Sequence, residues 1–130
     1  MVKPVELLES FFHALSTRDM DLIISFFNEQ SSWQNVPHPP SKGIDEIQKM
    51  FAPIISKSSK VQWDILNAVY ETNRAWLERV DRFWIEDIEY SVKCNGIFEI
   101  DLARGHIITV RDYVDLGEWR ERLTSANLTS

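Results

Sequence analysis

The chain has 130 residues, 44% of them hydrophobic and 26% charged, which is the size and balance of one globular domain able to bury its own core. Its net charge of −6 argues against nucleic acid or an anionic membrane as a partner. A single cysteine, Cys94, excludes an internal disulfide framework and fits a cytoplasmic home, as do the lack of a membrane-length apolar run and of a signal-peptide core.

Behind Pro4, which a first helical turn accepts, Val5, Leu8, Phe11, Phe12 and Leu15 recur at helical spacing and predict a helix over residues 4–16. Asp19 can cap a second helix running through Phe27, with Leu22, Ile23, Phe26 and Phe27 as its core face. A short strand follows in which Trp33 and Asn35 share a face and Gln34 points away, before Pro37, Pro39 and Pro40 stiffen the chain. Gly43 precedes a third helix over 44–56, whose stripe is Ile47, Met50, Phe51, Ile54 and Ile55. Pro53 is expected to kink or end it near Ala52. From Val61 the period becomes that of strands, over 61–71, 74–84, 88–100 and 106–116, with turns at 71–73 and 102–105. A short helix over 117–123 can close the domain. Helices first and strands afterwards indicate an α+β domain, a curved and mainly antiparallel sheet with the N-terminal helices on its concave face.

The last strand carries the most telling pattern. One face reads Ile108, Val110, Asp112, Val114 and Leu116, which places a carboxylate among aliphatics. Such a charge is costly unless it is paired, so Asp112 needs a partner. His106 shares its face but lies about 20 Å along the strand. The strand 74–84 offers Ala75, Leu77, Arg79, Asp81 and Phe83 on one face, and Trp76, Glu78, Val80, Arg82 and Trp84 on the other. Both faces mix apolar and charged residues, and periodicity does not choose between them. With the first face inward, Arg79 and Asp81 stand about 7 Å apart on the apolar side and can meet Asp112 if the strands are close. Two carboxylates sharing one permanent cation resist joint ionisation, which gives a proton donor beside a proton acceptor. His13 and His38 lack a second ligand at metal-binding spacing, and no metal is assigned.

Three segments in order, Trp33 to Pro40, Glu78-Arg79-Val80-Asp81 and Arg111 to Leu116, make the chain resemble the limonene-1,2-epoxide hydrolase family. That family lies within the cone-shaped fold shared with nuclear transport factor 2 and ketosteroid isomerase. The resemblance implies one-step hydrolysis of a hydrophobic epoxide to a vicinal diol, without cofactor or metal. It makes Asp112 the base toward water, Asp81 the acid toward the epoxide oxygen, Arg79 the bridge and Asn35 a holder of the water. The family pattern has Tyr where this chain has Trp33, and an indole donates to a water oxygen but cannot accept. By resemblance and strand phase, Leu77, Phe83, Val92, Cys94 and Val114 are candidate pocket walls, and each reads equally as core. Cys94 reads as a small hydrophobe, since no His is placed as its base. The family also implies a homodimer, for which Trp76, Val80 and Trp84 are a candidate interface. Two other classes stay open: a ketosteroid isomerase-like or polyketide cyclase-like proton shuttle, and a non-catalytic small-molecule-binding domain.

Overall fold

The computed structural model describes residues 3–128. Helix α1 (Pro4–Thr17) starts on its proline, buries Leu7, Leu8, Phe11, Phe12, Ala14 and Leu15, and stops where Arg18 turns left-handed. Helix α2 (Met20–Ile24) is capped by Asp19, whose side chain accepts from the Leu22 amide at 3.3 Å. It is shorter than the sequence pattern indicates. The Phe26 carbonyl instead accepts from the Ile107 amide at 2.7 Å, so the backbone leaves the helix to join the sheet. Phe27 is still buried, but Leu22 faces outward.

Strands β1 (Ser32–Asn35) and β2 (Ser41–Lys42) precede helix α3 (Gly43–Lys57). Pro53 neither ends nor divides α3, which continues to Lys57. The ring is exposed, and the carbonyl it leaves unpaired belongs to the exposed Lys49, where water can satisfy it. Ile47, Phe51 and Ile55 stay buried on both sides of the proline, so the apolar stripe holds the helix to the sheet.

Four long strands follow: β3 (Lys60–Tyr70), β4 (Arg74–Ile85), β5 (Ile88–Asp101) and β6 (His106–Val114). The sheet order is β2-β1-β6-β5-β4-β3, antiparallel except where β1 runs parallel to β6. The expected architecture is observed: N-terminal helices against a six-stranded, mostly antiparallel sheet. Strand β6 ends two residues before the sequence pattern does. Asp115 turns the chain into helix α4 (Leu116–Ser125) by accepting from the Glu118 amide at 3.0 Å, so Leu116 is helical.

Between helices and sheet lies an aromatic core. Trp33, 2% exposed, sits with its ring centroid 5.2–6.2 Å from those of Phe11, Phe27, Phe51, Trp63 and Phe98. On the outer face Trp76 and its neighbour Val69 are exposed, whereas Val80, expected there as interface, is buried within the chain. No helix of the described residues is long and apolar enough to cross a membrane.

Candidate active site

The structure settles the face of β4: Ala75, Leu77, Arg79, Asp81 and Phe83 all point inward and are buried. Register then explains how the three charged residues meet. Arg79 is opposite Cys94, which is opposite Val114. One row along, Leu77 is opposite Gly96, Gly96 opposite Asp112, and Asp112 beside Asn35 of the parallel strand β1. Arg79 thus reaches Asp81 along its own strand and Asp112 diagonally across β5. The diagonal passes over Gly96, whose missing side chain is what leaves it open. A Cβ there would lie against Asp112 Oδ1 and 2.5 Å from Arg79 Nη1, so a side chain at 96 and the bridge exclude each other.

The bridge is a double fork. Arg79 Nε donates to Asp81 Oδ1 at 2.7 Å and Nη2 to Asp81 Oδ2 at 3.1 Å. On the adjoining edge Nη1 donates to Asp112 Oδ1 at 2.9 Å and Nη2 to Asp112 Oδ2 at 2.6 Å. Arg79 is fully buried, while Asp81 and Asp112 are 7% and 3% exposed. Only a guanidinium has the planar donors to grip two carboxylates at once. Burial works against its charge, but the two carboxylates outweigh that and hold it protonated, above its ordinary range. Burial also pushes Asp81 up to about 6, against the pull of Arg79 and with the negative Asp112 adding to the rise. The site therefore holds a carboxyl group that exchanges its proton near physiological pH, beside a second carboxyl group. That is the arrangement general acid–base chemistry needs.

The carboxylates open onto a cavity of about 580 Å³, counting the space at its mouth. Asn35, Asp81 and Asp112 form its polar end with Cys94, Val92 and Val114 beside them. Trp33 is part of the wall. Leu77 and Phe83 are not: both are 1% exposed and serve the core. Phe83 stacks on Tyr90 at 5.5 Å. Further wall comes from α1, from α3 with Met50, Phe51 and Ile54 among its residues, from Val61 and Trp63 of β3, and from Trp119 of α4. Trp63 follows from strand phase once Val61 is known to face inward. Trp119 had no such signal, because its place depends on how α4 folds back.

His106 is confirmed as remote, with Nδ1 3.1 Å from the Asn28 amide nitrogen at the other end of β6. Burial pushes the Cys94 thiol up, which makes it an inert wall and not a nucleophile. Asp81, Cys94 and Asp112 do bring one ligand-type atom each within 4.8 Å of one another. Arg79 already binds all four carboxylate oxygens, however, so a metal ion would have to displace a buried cation.

Comparison with known proteins agrees with the fold. An LEH-like epoxide hydrolase from M. tuberculosis superposes with a TM-score of 0.74 at 20% identity, over 94% of this chain and 90% of that one. A proposed SnoaL-like polyketide cyclase from Shewanella putrefaciens gives 0.81 at 13% identity, over 96% and 98%. An uncharacterised protein with a ketosteroid isomerase-like fold from Catenulispora acidiphila gives 0.74 at 15%, over 98% and 96%. At such identities the likeness is one of fold. The profile of the SnoaL-like domain matches residues 8–110, from the first helix into the strand that carries Asp112. The chain belongs to the SnoaL-like domain family.

Proposed function

We propose that the chain is an epoxide hydrolase that converts a small hydrophobic epoxide to a vicinal diol in one step. One observation carries this reading: a buried arginine bridges two carboxylates at the polar end of an otherwise apolar cavity, and one of them titrates near 6. Asp112 takes a proton from a water molecule that Asn35 helps to hold. The water oxygen forms a bond to an epoxide carbon as that carbon's bond to the ring oxygen breaks. Asp81 delivers its proton to the departing oxygen, and the product is a diol. Arg79 holds the two carboxyl groups in fixed relation and balances their charge. The cycle ends when solvent removes the proton from Asp112 and returns one to Asp81. The apolar walls exclude competing water and bind the hydrocarbon body of the substrate.

A proton-shuttling cyclase or isomerase is the second reading, favoured by the likeness in fold to a proposed polyketide cyclase. It uses one carboxylate and an oxyanion donor, and leaves the Arg79 bridge without a purpose. A panel of apolar epoxides assayed for diol separates the two, and failure of every epoxide would sink the first. For an epoxide that is turned over, one turnover in water enriched with heavy oxygen tests the mechanism. Direct attack labels the diol at once, whereas an ester on Asp would give an unlabelled first product.

The pH profile gives a further check. The acid must be protonated to act, and the protonated fraction of a group titrating near 6 falls about tenfold per pH unit well above that value. We expect kcat/KM to decline as pH rises through about 6, with the descending limb moved or lost in Asp81→Asn. A flat profile between about pH 5 and 8 would remove Asp81 from the role of acid.

A further inference from the structure

Arg79 makes its hydrogen bonds with the donors along the edges of its planar guanidinium. They fix the group against sliding within that plane. Tilting out of the plane bends these bonds, and what covers the faces resists it further. The guanidinium carbon lies over the Trp63 ring, 4.8 Å from its centroid, and over Phe98 at 5.6 Å. Phe98 is fully buried in the core. Trp63 is different, because it is also a wall of the cavity and so stands between the cation and whatever occupies that space.

Its own position is well determined. Trp63 is opposite Asp81 in the β3–β4 register, which sets its ring beside the bridge. Its ring centroid is 6.0 Å from that of Trp33, 6.1 Å from Phe12 and 6.3 Å from Phe51. An indole face attracts a guanidinium, most strongly where water is excluded. We infer that Trp63 is a positioning residue, which clamps the Arg79 guanidinium in the one plane from which it serves both carboxylates. Trp63 acts through Arg79, and this role rests on the proposed hydrolase mechanism only for its effect on turnover.

Removing the ring has a second consequence. The groups that face Asp81 are Arg79 on its own strand, Cys94 on β5 and Asp112 on β6, while β3 contributes the uncharged Trp63. Loss of the indole lets water reach this cluster and relaxes the burial that keeps Asp81 high.

The test compares the full chain with Trp63→Leu. Nitrogen-15 NMR follows exchange of the Arg79 Nε proton, carboxyl carbon-13 NMR follows Asp81, and steady-state kinetics use an epoxide that the parent protein hydrolyses. A desolvated cation–π contact sets the scale: we expect proton exchange to quicken by about tenfold or more and kcat to fall roughly 10- to 30-fold, with KM changed by less than about threefold. Asp81 should titrate at lower pH. Unchanged exchange, with the loss confined to KM, would overturn the inference and leave Trp63 as a plain wall. A multiply fluorinated tryptophan placed at 63 keeps the shape and weakens the ring face, which guards against a Leu variant that fails to fold. It should quicken exchange in the same direction, and unchanged exchange there overturns the inference too. The NMR readings need no turnover, so they stand even if no epoxide is a substrate.

Discussion

Asp112→Asn should give a folded protein whose epoxide hydrolysis is lower by about 100- to 10,000-fold, the usual contribution of a general base. Asn has nearly the same shape, and its oxygen can still accept from Arg79, which keeps Asp81 as a full ionic partner. What Asn cannot do is take a proton from water. Asp81→Asn should lose a comparable factor for the complementary reason, since an amide has no acidic proton to hand to the epoxide oxygen. The two losses should not multiply, because one transition state needs both groups together. Rates would be measured on variants whose circular dichroism and thermal unfolding match the parent. A folded Asp112→Asn protein with near-normal turnover would move the base elsewhere and end the proposed mechanism.

The need behind this site was visible in the sequence, but its answer was only partly so. A carboxylate in the middle of Ile108, Val110, Val114 requires a partner wherever the strand lies, so Asp112 stands out from local pattern alone. Arg79 and Asp81 do not, because alternation detects an inward face by its apolar residues and the inward face of β4 carries two charges. Their partner comes from β6, across β5, and that diagonal is a property of the sheet order. Gly96 shows the same limit, since its importance is the space it leaves between two side chains of other strands. The end of β6 illustrates a different one. Alternation continues through Leu116, yet Asp115 caps a helix there, and a capping hydrogen bond outweighs a pattern of one more apolar residue. At Pro53 the local rule was overridden from outside, because buried residues on both sides hold α3 to the sheet. The five candidate walls came from the resemblance and strand phase together, and neither separates cavity from core. Val92, Cys94 and Val114 border the cavity, whereas Leu77 and Phe83 lie away from it, a distinction set by where α3 and α4 cover the sheet.

Arg79→Met should destabilise the chain at neutral pH by about 3–5 kcal/mol, the usual result of stripping a buried ion pair of one partner. Methionine fills much of the volume, so the loss is electrostatic more than a matter of packing. It leaves Asp81 and Asp112 facing each other in a site that excludes water, with all four oxygens deprived of their donors. The direction of the pH dependence follows. Without Arg79 nothing in the cluster opposes the burial that raises Asp81, so that carboxyl group in the folded protein holds its proton more tightly than in the unfolded chain. The folded state then binds more protons, and its stability rises as pH falls toward the unfolded value near 4. Urea unfolding of Arg79→Met should accordingly show a deficit at pH 7.5 that shrinks by pH 5, with circular dichroism as the signal. Adding Asp81→Asn and Asp112→Asn to Arg79→Met removes both stranded charges, so the triple variant should be more stable at pH 7.5 than Arg79→Met alone. An arginine that merely filled space would predict the reverse order, since the triple variant would then combine three losses. If Arg79→Met proves as stable as the parent at pH 7.5, the carboxylates are not held by the cation, and the bridge cannot be what tunes Asp81 as an acid.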